Sequence, residues 1–331
     1  MSREPLPETR FHRWRSQLAA LALLALSCPP VHAAAAGKAG TEGAFPGDHR
    51  LLGRTIGYEE MVAFLDSLST PRITVTTEGR TAEGRSIYLV HIESSARPSW
   101  RVMLYAQQHG NEVSGKDALL YLVRSLAAEP ERLPGGVDLW VMPMVNPDGA
   151  AANQRRNSAG VDLNRDHQRL SQPETQALHR VARRVMPHVA VDCHEFTRGG
   201  AEYASRGLDE WPIIMMDSAN HPFFDQAVTA AGVRWVESAA PVMRRAGHNY
   251  LRYSVGGLPP DEEQRYSSPE MDDGRNAIAA LGGLSFIIEA GVRRDREDPE
   301  ADLGTRVDAY LTLLRHLIDE TRTRAVDLET V

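Results

Sequence analysis

Four apolar runs in this chain each give way abruptly to polar, ionisable residues, and this repeated pattern constrains the fold more than anything else in it. Val102–Ala106 opens into Gln107–Glu112, Val137–Met142 into the turn-dense Pro143–Gly149, Val189–Val191 into Asp192, Cys193 and His194, and Leu284–Ile288 into Glu289. Runs this short and this apolar read as buried strands. Between and after them lie stretches of helical spacing. Ala118, Leu119, Leu122, Val123 and Leu126 share a face within Ser114–Leu126, and Val307, Tyr310, Leu311, Leu314, Leu317 and Ile318 share one within Asp302–Thr321. Strands alternating with helices imply a single three-layer α/β/α domain, with a mixed, mostly parallel twisted sheet flanked by helices. The polar strand ends then gather at one edge of the sheet, where α/β proteins bind their ligands.

Other elements follow from shorter signals. Tyr58–Leu68 predicts a first helix, and Arg72–Thr77 with Ser86–Glu93 a hairpin around the turn Glu78–Arg85. Ser171, Pro173 and Glu174 predict a helix start running to about Met186, with Ser171 as N-cap and Glu174 completing a capping box. His221–Ala231 predicts another helix, and Ser238–Asn276 an irregular stretch long enough to be functional. The last strand is expected to end at Glu289.

The first 33 residues predict a signal peptide. Arg10, Arg13 and Arg15 precede the apolar Leu18–Leu26, too short to span a bilayer comfortably, and Val31-His32-Ala33 offers a small-residue cleavage site. Ala25-Leu26-Ser27-Cys28 loosely resembles a lipobox, which would anchor the chain as a lipoprotein at Cys28. Residues 34–50 read as a linker and 51–325 as the catalytic domain. The expectation is a secreted or periplasmic protein with no transmembrane segment after signal removal. Cys193 would then be the lone cysteine, so stability must come from the core, which a chain of about 290 residues can supply. The net charge of −7 makes nucleic acid an unexpected partner.

His109, Glu112 and His194 lie at or just beyond strand ends. Two histidines and a glutamate leave a fourth position open, the ligand set of a catalytic zinc site. Such a site needs a carboxylate that is not a ligand as general base. Glu289, after Ser285-Phe286-Ile287-Ile288, fits, because a charge at the end of a buried run requires a partner.

Six segments occur in order: EGRTAEGRSI (78–87), HGNE (109–112), NPDG (146–149), RRNSAGVDLNRD (155–166), DCHEF (192–196) and FIIEAG (286–291). Together they resemble the M14 family of zinc metallocarboxypeptidases, the carboxypeptidase A-like peptidases, in a divergent bacterial branch. The resemblance implies one zinc ion held by His109, Glu112 and His194, and a water activated by it with Glu289 as general base and acid. It implies Arg155 as the oxyanion-stabilising residue, with Arg156 its competitor. Asn164 and Arg165 would hold the free C-terminal carboxylate of a peptide, and Asp162 would orient His109. The family's mobile tyrosine is matched best by Tyr266, with Tyr250 and Tyr253 as alternatives. Asn164-Arg165-Asp166-His167 departs from the family, which often has an aromatic residue soon after the Asn-Arg pair. That departure leaves room for a zinc-dependent amidase or deacylase acting on cell-wall peptides or N-acyl amino acids. A non-catalytic binding protein on the same scaffold is the third reading. Asp261, Glu262, Glu263, Asp272 and Asp273 are all candidates for the side-chain pocket. His91, His179, His188 and His221 have no motif around them and read as surface or packing residues.

Overall fold

The computed structural model describes residues 54–324, except 98–99, 200–203, 206, 208–211, 256–264, 267 and 294–300. The predicted signal peptide, the lipobox at Cys28 and the linker lie outside the described residues. Strands are β1 (Ile73–Arg80), β2 (Ser86–Ile92), β3 (Trp100–Ala106), β4 (Val137–Met142), β5 (Val189–Thr197), β6 (Ile214–Ser218), β7 (Tyr250–Arg252), β8 (Ser254–Val255), β9 (Arg265–Tyr266) and β10 (Leu284–Val292). Helices are α1 (Tyr58–Ser67), α2 (Ser114–Ala128), α3 (Pro147–Ala151), α4 (Pro173–Val185), α5 (Gln226–Arg245), α6 (Gly274–Ala279) and α7 (Leu303–Thr323). No helix among the described residues is long and apolar enough to cross a membrane.

An eight-stranded sheet runs β1-β2-β4-β3-β5-β10-β6-β7. The central strands β4, β3, β5 and β10 are mutually parallel, while β1, β2 and β6 pair antiparallel. Successive side chains of a strand face opposite sides, so each central strand feeds two cores. Val102, Leu104, Val191, Phe286 and Ile288 pack with residues of α2, α5 and α7. Met103, Tyr105 and Ala190 pack with Ala177, Leu178, Val181, Ala182 and Val185 of α4 and Ile278 of α6. The predicted three-layer α/β/α architecture is what the chain adopts.

Several boundaries move. β10 continues to Val292, so Glu289 sits within the strand, opposite His194 of β5. Its charge is buried in the sheet rather than released at a strand end. The helix predicted over His221–Ala231 starts at Gln226 and runs to Arg245, through Gly232 and Pro241. A Cβ at Gly232 would meet Ser218 Cβ at 2.6 Å, so this glycine admits β6 rather than ending a helix. Strand β6 is an addition to the sequence reading. Ser171 is not the cap of α4. That position belongs to Gln172, whose side chain makes no cap hydrogen bond. Asp166 instead fixes the segment leading into the helix, accepting from Gln172 N (3.0 Å), Ser171 N (3.1 Å), Ser171 Oγ (2.6 Å) and Thr175 Oγ1. Glu174 accepts instead from Asn157 Nδ2 at 3.2 Å.

Candidate metal centre and its cleft

The centre forms where β3 and β5 end side by side. After Ala106 the backbone turns sharply, with Gln107 at φ 57°, a conformation few side chains accept. The turn is held by Gln107 Nε2 donating to Gly110 O (2.8 Å) and by Asn146 Nδ2 donating to Gln108 O (2.9 Å). Gly110 lies so close to α3 that a Cβ on it would meet the Gly149 carbonyl carbon at 2.0 Å, so this position needs glycine. Asp148 then ties α3 to the hairpin turn, accepting from Thr81 Oγ1 (2.7 Å), Glu83 N (3.2 Å), Arg85 Nη1 (2.8 Å) and Ser158 Oγ (2.9 Å). The EGRTAEGRSI and NPDG segments thus brace the loop that carries His109 and Glu112.

His109 Nδ1, a Glu112 oxygen and His194 Nδ1 converge, all within 4.8 Å of one another. His109 Nδ1 lies 2.8 Å from Glu112 Oε1, and His194 Nδ1 lies 2.9 Å from Glu112 Oε2 and 3.1 Å from His109 Nδ1. The outward nitrogens each meet a carboxylate: His109 Nε2 is 3.1 Å from Asp162 Oδ1, and His194 Nε2 is 3.0 Å from Asp192 Oδ1. A carboxylate on the far nitrogen of each ring fixes its tautomer with the proton outward and turns the Nδ1 lone pair inward. Two such lone pairs 3.1 Å apart, with a carboxylate across from them, require a cation or a proton between them. The donor set therefore fits a divalent metal, and zinc in particular, which favours imidazole and carboxylate ligands at an incomplete tetrahedron.

The electrostatics agree. Burial alone would lower the His109 pKa, but Glu112 and Asp162 outweigh it and raise it. The same holds more strongly for His194, where Asp192 and Glu112 oppose burial. Glu112 and Asp162 are held well below the usual carboxylate range, against their own burial, by the adjacent imidazoles and, for Asp162, by Arg155. The pocket thus stabilises positive charge at its centre.

A cleft of about 420 Å³ opens onto this centre, lined among others by His109, Glu112, Arg155, Asn164, Arg165, Tyr253, Arg275 and Glu289. Glu289 is buried, and its Oε2 has no hydrogen-bond partner among the described residues. Burial raises its pKa to about 7, with Glu112 adding to the rise and both imidazoles opposing it. Arg155 Nε donates to Asp162 Oδ2 (3.0 Å), and its Nη1 lies 3.2 Å from His109 Nδ1 and 3.5 Å from Glu112 Oε1. Arg156 turns away and donates to Gly160 O (3.1 Å). Asn164 is buried, with Oδ1 accepting from Gly274 N at 2.7 Å. Arg165 Nη1 donates to the Asn164 carbonyl at 2.6 Å.

Tyr266 does not line the cleft. It is 57% exposed in the β8–β9 hairpin, with the Arg252 guanidinium 3.7 Å from its ring centroid. Tyr253 is the tyrosine that lines it, its phenol pushed up by burial and by Glu289. Asp273 accepts from Asn276 N (2.8 Å) at the start of α6 and from Arg275 Nη2 (3.0 Å). Of the other acidic pocket candidates, Asp261, Glu262 and Glu263 lie outside the described residues.

Sequence reasoning missed Asp192, Gln108, Glu195 and Tyr310. Glu195 accepts from Val113 N (3.2 Å), Ser114 N (3.1 Å) and Ser114 Oγ, placing a carboxylate at the N-terminus of α2. Tyr310 reaches from α7 to donate to the His194 carbonyl, and its hydroxyl lies 3.2 Å from that of Ile288. Asp192 and Glu195 flank His194 in the DCHEF segment, which was the one signal for them.

Comparison with known proteins closes on the same reading. Residues 61–198 match the zinc carboxypeptidase (M14) family profile. Carboxypeptidase 2 of Trichophyton tonsurans is 29% identical over 247 residues, covering 70% of this chain and 46% of the relative. Carboxypeptidase 2 of Trichophyton equinum is 30% identical over 223 residues, 63% of this chain and 41% of that one. The chain thus spans less than half the length of these curated relatives. A metallo-carboxypeptidase from Pseudomonas aeruginosa, solved with (2-guanidinoethylmercapto)succinic acid, shares the fold at a TM-score of 0.59 and 21% identity, covering 82% of this chain and 68% of that one. One from Burkholderia cenocepacia does so at 0.58 and 20% identity, covering 78% and 68%. The fold, the ordered segments and the profile over residues 61–198 thus agree in their similarity to the M14 family of zinc carboxypeptidases.

Proposed function

We propose that this protein is a zinc-dependent carboxypeptidase, exported by the signal peptide of its first 33 residues, which removes C-terminal residues from peptides. The observation that carries the reading is the convergence of His109 Nδ1, Glu112 and His194 Nδ1 at the floor of a cleft also lined by Glu289, Arg155 and Arg165. One zinc ion, bound by those three residues, would supply Lewis acidity towards the scissile carbonyl and make water a stronger acid.

The chain's own residues do the rest. Arg165, with the Asn164 amide beside it, binds the free carboxylate of the substrate, the guanidinium offering a two-pronged donor. That contact selects the last peptide bond. Arg155, already anchored on Asp162, donates through Nη1 to the carbonyl oxygen as it gains negative charge. Glu289 takes the proton from the attacking water and returns it to the departing amine. A carboxyl group held near neutrality by its burial is suited to both transfers. Asp162 keeps the His109 ring turned inward.

The departure at Asp166-His167, which left room for other amides, lies outside the cleft lining: Asp166 fixes the segment leading into α4 and His167 packs on Gln108. The test is release of C-terminal residues from a mixed peptide library by the purified chain, with and without chelator, alongside metal analysis. Chelator-sensitive release from free C-termini is expected. Bound zinc without release, but with cleavage of muropeptides or N-acyl amino acids, would replace this reading by the amidase one. No metal and no release would overturn both.

A further inference from the structure

Behind the cleft, the site continues as a line of buried hydrogen bonds that no substrate reaches. Asp192 Oδ1, already 3.0 Å from His194 Nε2, also lies 3.0 Å from Gln108 Nε2, and Asp192 Oδ2 lies 2.9 Å from it. Gln108 Oε1 lies 2.7 Å from His167 Nε2, and His167 Nδ1 lies 2.9 Å from His179 Nε2. Gln108, Asp192, His167 and His179 are each no more than 5% exposed, and none lines the cleft. Gly274 closes the line from above: a Cβ there would come within 2.7 Å of Asp192 Oδ2, 2.9 Å of Gln108 Nε2 and 3.1 Å of His167 Nε2.

The direction of every bond in this line is fixed by its end. An ionised carboxylate only accepts, so the Gln108 amide must turn its NH₂ towards Asp192 and its oxygen away. That oxygen also only accepts, so the proton between Gln108 and His167 belongs to His167 Nε2. His167 Nδ1 is then a lone pair and takes its hydrogen bond from His179 Nε2–H. A flipped Gln108 would set its oxygen against the Asp192 carboxylate. At the other end, Asp192 receives His194 Nε2–H, which leaves His194 Nδ1 facing the metal centre. The Asn164 amide nitrogen, 3.2 Å from the same Nε2, cannot donate to a nitrogen that carries a proton. Its hydrogens remain available to the cleft.

We propose that His167 and His179 are positioning residues for the metal centre: through Gln108 and Asp192 they lock the ring of His194 and hold its Nδ1 lone pair on the metal. The inference rests on the proposed role of His194 as a zinc ligand. His167, where the chain departs from its family's usual aromatic, thereby acquires a role in place of packing.

Three forms of the full-length, zinc-loaded chain test this: parent, His167→Phe and His167→Gln. Zinc dissociation constants come from chelator competition and are set beside the melting temperatures of the metal-free forms and the kcat and KM of the loaded ones. His167→Phe fills the space but supplies no donor to Gln108, so zinc binding weakens about ten-fold, while KM stays near the parent's. His167→Gln places an NH₂ where Nε2 was and restores zinc affinity to within about three-fold of the parent. A parent that binds zinc alongside a His167→Phe form of equal affinity overturns the inference alone. A parent that binds no zinc overturns the ligand reading, and the inference with it. Ring nitrogen correlations in the parent's NMR spectrum test it without any variant. They should assign the Nε2–H tautomer to His167 and His179, and a proton on His167 Nδ1 overturns it.

Discussion

The two faces of the central sheet are made by neighbouring residues of the same strands and could hardly differ more. One face, towards α2, α5 and α7, is dry: Leu104, Val191, Phe286 and Ile288 meet Trp235, Leu314 and their neighbours, and Trp235 stacks on Phe286 with ring centroids 5.8 Å apart. The other face starts apolar under α4, then turns polar along the same strands, where Asp192, His194 and Glu289 stand between those apolar residues. Strand periodicity is two, so a shift of one residue would carry three ionisable groups into the dry core. The apolar face thus stabilises the register that the other face needs for its chemistry. The stability lies mainly in one layer and the reactivity in the other.

The sharpest way to separate the faces is Glu289→Gln. We expect kcat to fall by about 10²- to 10⁴-fold with zinc still bound, as for loss of a general base. Melting of the metal-free chain should not fall, because a buried carboxylate whose charge is disfavoured by burial is replaced by a neutral amide. Trp235→Ala is the converse. It should cost about 3–5 kcal/mol in denaturant unfolding, while kcat/KM per folded, zinc-loaded molecule stays within about two-fold of the parent. A large loss of kcat/KM in that variant would mean the faces are not separable.

Arg155→Ala should lower kcat by about 10²- to 10³-fold, the usual result of losing an oxyanion donor. Arg156→Ala, whose side chain turns to Gly160, should leave kcat unchanged. Equal losses from both would remove the distinction drawn between them.

The smallest expected effect is a pH dependence on the polar face. Burial lowers the His167 pKa to about 3, with His179 adding to it, and burial together with Arg183 lowers that of His179 to about 4. Above pH 6.5 both rings are neutral folded or unfolded, and neither contributes a slope. As the pH falls below that value, only the unfolded chain gains protons there, so stability declines towards pH 4. The slope approaches about 1.4 kcal/mol per pH unit per ring. Denaturant unfolding from pH 7.5 to 4.5 should therefore be flatter for His179→Gln than for the parent, and parallel curves would refute the assignment.

Much of this was legible before any fold was known, for a reason that also marks the limit. His109, Glu112, His194 and Glu289 lie in short segments whose order is distinctive, and the runs before them announce their strands. Asp162 was legible through the resemblance. The line behind the metal centre was not. Gln108 and His179 are 71 positions apart in the sequence, and nothing about a histidine on the inner face of an amphipathic helix says which strand it will face; packing was the natural reading. Glu289 was placed at a strand end because an apolar run was taken to stop where a charge begins, whereas the sheet tolerates that charge opposite His194. The Ser171 cap failed because its hydroxyl donates to Asp166, upstream and outside the local pattern. Helix α5 runs on past the predicted Ala231, through Gly232, whose missing Cβ allows close approach to Ser218. Tyr266 was chosen by counting back from Glu289, and counting carries no information across a stretch so irregular.

The hydroxyl of Tyr310 has a consequence for the order in which the molecule can be made. It joins the carbonyls of His194 and Ile288, so the last helix described adds a tie across two strands, already paired in the sheet, that carry a proposed ligand and the proposed base. On a ribosome, every residue of the cleft emerges before Tyr310 does. A growing chain can therefore possess every side chain of the cleft before α7 adds this tie to the backbones behind them. For the peptidase proposed, this order makes the last backbone tie behind the cleft depend on the arrival of α7 and not on that of any cleft residue.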